Sequence, residues 1–191
     1  MKNQTGPSGN IVGVFGLPCS GKSTIINALI SSSRTLMASI SSGDIARRLS
    51  TTADTKHMAD GNLFPFEGPL RAEILSTIDK RRIAGAEVIF LEGFPRTVDQ
   101  IHWLLDNGLA GYGSGCLIKI EGDNLFERAV QRNRDFQDDP ALLKKKIDKQ
   151  AAEISKMEEL IFKVGIPYQV IMNVEITNAV QQFAKYLGIR K

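Results

Sequence analysis

Short apolar runs alternate along this chain with stretches in which hydrophobic residues recur every three or four positions. Ile11-Val12-Gly13-Val14-Phe15 is apolar on both of its alternating faces and stops at glycine, the pattern of a strand buried on both sides. A helix is expected from about Lys22 to Ile30, with Ile25, Ile26 and Leu29 inward. Leu36–Ile40 reads as a second strand, and Ser41-Ser42 offers the N-cap of a helix running to about Leu49. Leu70, Ile74, Ile78 and Ile83 follow helical spacing between about Glu67 and Ala84. Val88–Leu91, the most apolar run, predicts a central strand. It is followed by a helix from about Val98 to Leu105 and a glycine-rich turn over 108–115.

Cys116–Ile120 predicts a fourth strand and Asn124–Arg132 another helix. Ile147, Ala151, Ile154, Met157, Ile161 and Val164 form a helical stripe that ends at Gly165. Pro167–Met172 is the fifth strand and Ile176–Leu187 the closing helix. Strands alternating with helices throughout predict an α/β fold: a five-stranded parallel sheet with helices on both faces, as one domain over 1–191. Ligands of such sheets bind at the carboxyl ends of the strands, so the loops after Phe15, Ile40, Leu91 and Ile120 are where chemistry is expected.

Composition narrows the class without naming a function. Charged residues are 24% and hydrophobic residues 42% of 191, ordinary globular usage. A net charge of +3, from 24 basic and 21 acidic residues, is too small to imply a nucleic-acid partner. Two cysteines, Cys19 and Cys116, rule out a disulfide-stapled scaffold. The polar lead Met1–Gly9 lacks the apolar core of a signal peptide, and no apolar run approaches a membrane span. The expectation is a cytoplasmic monomer with no membrane partner.

Directly after the first strand comes Gly16-Leu17-Pro18-Cys19-Ser20-Gly21-Lys22-Ser23-Thr24, which matches G-x-x-x-x-G-K-[ST] between a strand and a helix. Glycines let the backbone wrap so that successive N–H groups face an anion, and the helix adds the positive end of its dipole. Lys22 is then expected to reach the β- and γ-phosphates of ATP, and the Ser23 hydroxyl to ligate Mg²⁺. Two further segments fall at strand ends. Ser42-Gly43-Asp44-Ile45-Ala46-Arg47 and Glu92-Gly93-Phe94-Pro95-Arg96-Thr97 each carry a carboxylate with an arginine three or four residues on. Phosphoryl transfer uses both, carboxylates for a hydrated Mg²⁺ and guanidinium forks for phosphate oxygens.

With these motifs the sequence resembles the adenylate kinase family of nucleoside-monophosphate kinases, in its short-lid form. Gly16–Thr24 is similar to that family's G-x-P-G-x-G-K-G-T loop, Ser42–Arg47 to its [ST]-[ST]-G-D-x-x-R, and Glu92–Thr97 with Gln100 to its D-G-F-P-R-T-x-x-Q. Met58–Gly61 through Leu63, Pro65 and Glu67 resembles M-x-x-G-x-L-x-P-x-[DE], and Leu125–Arg132 with Asp138-Asp139 is similar to the lid. The resemblance implies a donor site on Gly16, Cys19, Ser20, Gly21, Lys22, Ser23 and Thr24. It implies an acceptor site on Ser42, Gly43, Arg47, Gly93, Arg96 and Gln100, and Mg²⁺ near Ser23, Asp44 and Glu92. Arg128 and Arg132 would close over the donor from a lid at about 128–140, and an arm at about 44–84 would close over the acceptor. The activity implied is transfer from ATP to a nucleoside monophosphate, AMP first. Gln100, one turn beyond Arg96, could accept from the adenine amino group and donate to the adjacent ring nitrogen.

The chain also departs from that pattern. Cys19 and Ser23 replace glycines, and Glu92 stands where Asp is usual. The lid is short, Arg134 is only a possible substitute for an arginine before Asp138, and Lys146 stands where a further arginine is expected. Two distant cysteines exclude a four-cysteine zinc lid, and His57 and His102 lack partners at ligand spacing. Lys144-Lys145-Lys146 reads first as a solvated helix face. Two rivals fit these departures: a kinase for a modified deoxynucleotide or another small acceptor, and a nucleotide-binding regulatory protein that has lost catalysis.

Overall fold

The computed structural model describes residues 10–51, 54, 65, 67–131 and 140–189. Five parallel strands form one sheet in the order β2-β3-β1-β4-β5. They are β1 (Ile11–Phe15), β2 (Met37–Ser41), β3 (Val88–Glu92), β4 (Gly115–Gly122) and β5 (Tyr168–Asn173). The helices are α1 (Lys22–Ser32), α2 (Ser42–Leu49), α3 (Glu67–Ile83), α4 (Val98–Asp106), α5 (Leu125–Gln131), α6 (Pro140–Val164) and α7 (Ile176–Leu187). The middle strand is β1, every residue of which is buried, and β3 is interior as its apolarity predicts, paired with β1 on one edge and β2 on the other.

Alternation along the strands divides the core into two layers. Ile11, Phe15, Ile89, Leu91 and Leu117 face α3, α4 and α6, packing on Leu70, Ile74, Ile101, Leu104, Met157 and Ile161. Val12, Val14, Phe90, Ile118 and Ile120 face the other way, onto Ile25, Ile26 and Leu29 of α1 and Ala179, Val180 and Phe183 of α7. Each fully buried Ile, Leu or Phe contributes about 1.5–3 kcal/mol, so neither layer is dispensable.

The predicted helix stripes were too long. Ile83 is 87% and Val164 45% exposed, and Ala151 is exposed, while Leu143, outside the stripe, is buried. Among the described residues, no helix is long and apolar enough to cross a membrane. Much of the expected arm (52–53, 55–64 and 66) and lid (132–139), with His57, Arg132, Arg134 and Asp138-Asp139, lies outside the described residues.

Candidate active site

The G-x-x-x-x-G-K-[ST] segment forms the loop from the end of β1 to the head of α1. Its turns use backbone that side chains rarely adopt: Gly16 has φ +141° and Gly21 +90°, and Cys19 takes the left-handed region at +62°. A Cβ on Gly16 would stand 2.2 Å from the Ile120 carbonyl oxygen, so glycine is required there by contact as well as by φ. The Lys22 ammonium folds into the loop, donating to the carbonyls of Gly16 (3.0 Å) and Leu17 (2.7 Å) and to Ser20 Oγ (3.2 Å). Gly21 caps α1 without any side-chain hydrogen bond, which leaves the first-turn amides to the loop's own concavity. Thr24 is exposed on the first turn of α1.

Ser23 Oγ donates to Glu92 Oε1, joining the head of α1 to the end of β3. This pair is a hard-oxygen donor set that suits Mg²⁺, which takes one or two protein oxygens and fills its octahedron with phosphate and water. Asp44 is different: it is exposed on α2 and ion-paired with Arg47 one turn along. No group of three or more His, Cys, Asp or Glu residues arranged for a metal occurs among the described residues.

α2 starts where the sequence predicts, because Ser41 Oγ accepts from the Asp44 amide (3.1 Å). Ser42 Oγ donates to the Gly93 carbonyl (2.8 Å), and Arg96 Nε donates to the same oxygen (2.7 Å). Gly93 therefore ties α2 to the loop after β3. Gly43 lies between the two arginines: a Cβ there would be 3.5 Å from an Arg47 nitrogen and 3.6 Å from one of Arg96. Arg96 sits deep in this floor with part of its surface still accessible. Burial first, then the like charge of Arg47, lowers its pKa below the ordinary arginine value, against the opposing pull of Glu67 and Glu92. Two guanidiniums held together in this way favour an anion between them.

Gln100 is 1% exposed, not solvated, and both ends of its amide are engaged within the protein. On the opposite side of the loop, Arg128 donates to Asp123 (2.5 Å) and to the Asn173 carbonyl (2.9 Å). Asn173 was not singled out from the sequence. Its Nδ2 donates to the Ser20 carbonyl (2.9 Å), and its Oδ1 is buried without a hydrogen-bond partner. An asparagine at a strand end carries no motif, so only the pairing of β5 with β4 brings it to the loop. Gln150, on α6, also donates to the Gly16 carbonyl (3.1 Å). Lys146 is half-buried on α6, whereas Lys144 and Lys145 are exposed. Cys116 is buried and its thiol is pushed up to about 12 by that burial, which makes it inert at neutral pH. His102 is exposed on α4.

The chain shares its fold with a kinase. A sugar kinase from Janibacter sp. HTCC2649, solved without ligand, superposes with a TM-score of 0.65 over 95% of each chain at 18% identity. At that identity the likeness is one of fold. No protein-family model and no curated protein sequence matches the chain. The resemblance to adenylate kinases thus stands on the motifs themselves.

Proposed function

We propose that this protein is a phosphotransferase that moves the γ-phosphoryl group of ATP to a nucleoside monophosphate, with AMP the first candidate. The observation that carries the reading is the joint placement of Ser23–Glu92 and Arg47–Arg96 beside one glycine-rich loop. A hydroxyl–carboxylate pair and a cationic floor are the two charge devices phosphoryl transfer needs. In this reading the loop amides and Lys22 hold the donor phosphates, and Lys22 exchanges its loop carbonyls for phosphate oxygens. Arg96 and Arg47 orient the acceptor phosphate in line with the donor and neutralise it, Ser42 and Gly93 hold Arg96 in place, and Arg128 approaches the donor from the β5 side. Ser23 and Glu92 would hold Mg²⁺, which when bound neutralises charge on the phosphates. The catalytic effect is positioning and electrostatic, with no covalent intermediate. The 44–84 arm and the 128–140 lid belong to the same proposal, closing to exclude the water that would otherwise be the acceptor.

A second reading has its own observation. The structural neighbour's description is that of a sugar kinase, so a small hydroxyl acceptor is the alternative. Coupled measurement of ADP release across a panel of nucleoside monophosphates, their deoxy forms and simple sugars decides between them. AMP is expected to lead. Release with sugars alone would move the acceptor, and no release with any acceptor would end the kinase reading. In the same assay Lys22→Ala is expected to abolish turnover while melting stays close to that of the unmutated protein, because its bonds lie within the loop and not in the core. Arg96→Ala should lower kcat/KM on the order of 10²–10⁴-fold, through the acceptor.

A further inference from the structure

Gln100 is the buried inner end of a chain of polar contacts that runs from the loop after β3 to the surface. Its Oε1 accepts from the Arg96 backbone amide (2.7 Å), and its Nε2 donates to Glu67 Oε1 (2.9 Å). The other Glu67 oxygen, Oε2, accepts from Arg71 Nε (3.2 Å). Arg71 also pairs with Asp99 and lies 5.9 Å from the centroid of the Trp103 ring. Both Glu67 oxygens are therefore committed, one to each neighbour, and the carboxylate cannot turn without losing a bond.

We propose that Glu67, at the first turn of α3, is a positioning residue that sets the hydrogen-bonding polarity of Gln100, and through it the choice of acceptor base, with Arg71 as its anchor. This inference rests on the acceptor site described above. The physical argument is the asymmetry of an amide. A flipped Gln100 would set its oxygen against the Glu67 carboxylate and its NH₂ against the Arg96 N–H, two repulsive contacts in a buried place. Only one orientation is compatible with both neighbours. Each polar atom of Gln100 retains one further valence, so the order of donor and acceptor offered to a bound base is decided by Glu67 together with the Arg96 amide, and not by the base. Glu67 also lies close enough to Arg96 to oppose the charge penalty that burial and Arg47 impose on it. One carboxylate on α3 thus acts on both Gln100 and Arg96.

The experiment compares Glu67→Ala and Arg71→Ala with the unmutated protein in kcat/KM for the preferred monophosphate against the next best, with donor KM and Tm measured alongside. Loss of the Glu67 partner should shrink that ratio about tenfold or more, mainly through acceptor KM, with donor KM unchanged. Arg71→Ala, which keeps the carboxylate, should shrink it less and in the same direction, and it serves if Glu67→Ala does not fold. A fall in Tm with an unchanged ratio in the folded variants would overturn the proposal, since a merely structural contact would do that. If the unmutated protein phosphorylates no monophosphate, the functional reading fails, and the Gln100 side-chain NH₂ signals in a ¹⁵N spectrum decide this inference alone. Glu67→Ala should shift them and speed their exchange with water; unchanged signals would refute it.

Discussion

Two glycines of the loop between β1 and α1 are required for different reasons, and the difference is measurable. At Gly16 the obstacle to a Cβ is the Ile120 carbonyl at 2.2 Å, part of the β4 backbone, which is paired with β5 at this residue and cannot retreat without breaking the sheet. At Gly21 the obstacle is the Asn173 amide nitrogen at 2.1 Å, the end of a side chain that can swing away. Gly16→Ala should therefore cost about 2–4 kcal/mol of stability and Gly21→Ala about 1–2 kcal/mol, both including the penalty for positive φ. Gly21→Ala should still cripple turnover, because displacing Asn173 releases the Ser20 carbonyl from its anchor. Urea unfolding and steady-state assays of the two variants check the pair; equal stability losses would mean that Asn173 is as fixed as β4. The sequence announces the glycines through their motif. Asn173 belongs to no motif, and Glu67 closes the M-x-x-G-x-L-x-P-x-[DE] stretch without any role being legible there, since the importance of each arises from partners 153 and 33 residues away. Gln100 was legible as a candidate through its motif, while its burial and its fixed polarity belong to those distant contacts.

At the level of elements, legibility followed from how local each cause is. β1 reads correctly because five apolar residues before a glycine have no other economical arrangement, and α2 and α4 begin at Ser41 and Thr97, whose hydroxyls cap them. The long stripe of α6 was only partly right. Ile154, Met157 and Ile161 are buried against the sheet, but Ala151 and Val164 of the same stripe are not. A period of three to four residues identifies the inward face of a helix and says nothing about how far the partner extends along it. Ile83 fails in the last turn of α3 for the same reason. A paired substitution tests this reading. Ile161→Ala should cost about 2–5 kcal/mol through the cavity it leaves, whereas Val164→Ala should stay within about 0.5 kcal/mol. Chemical denaturation midpoints at constant slope give both values, and a large loss at Val164 would show that the end of α6 is packed after all.

Across the whole molecule, the strand order distributes the candidate residues to two sides of β1. Toward β4 and β5 lie Arg128 and Asn173, in contact with the loop that follows β1. Toward β3 and β2 lie Glu92, Arg96, Gln100 and α2, with Gly43 in its first turn and Arg47 in its last. Two substrates meeting over the carboxyl end of β1 would each bind to a different half, so their contributions to stability should be separable. A ligand present at about 100 times its Kd stabilises the folded state by about 2.7 kcal/mol, which for a domain of this size raises Tm by about 5–10 °C. ATP with Mg²⁺ and AMP should each give a shift of this kind in the unmutated protein. Lys22→Ala should lose the shift from ATP and keep that from AMP. Arg96→Ala should do the reverse, because its guanidinium lies with Arg47 around Gly43, on the β2–β3 side. Binding of phosphate there also relieves the repulsion between the two arginines, so the acceptor shift should weaken steeply with added salt. Thermal melts of the three proteins with each ligand separately check all of this. Should Arg96→Ala lose the ATP shift and retain the AMP shift, the two halves of the site have been assigned the wrong way round.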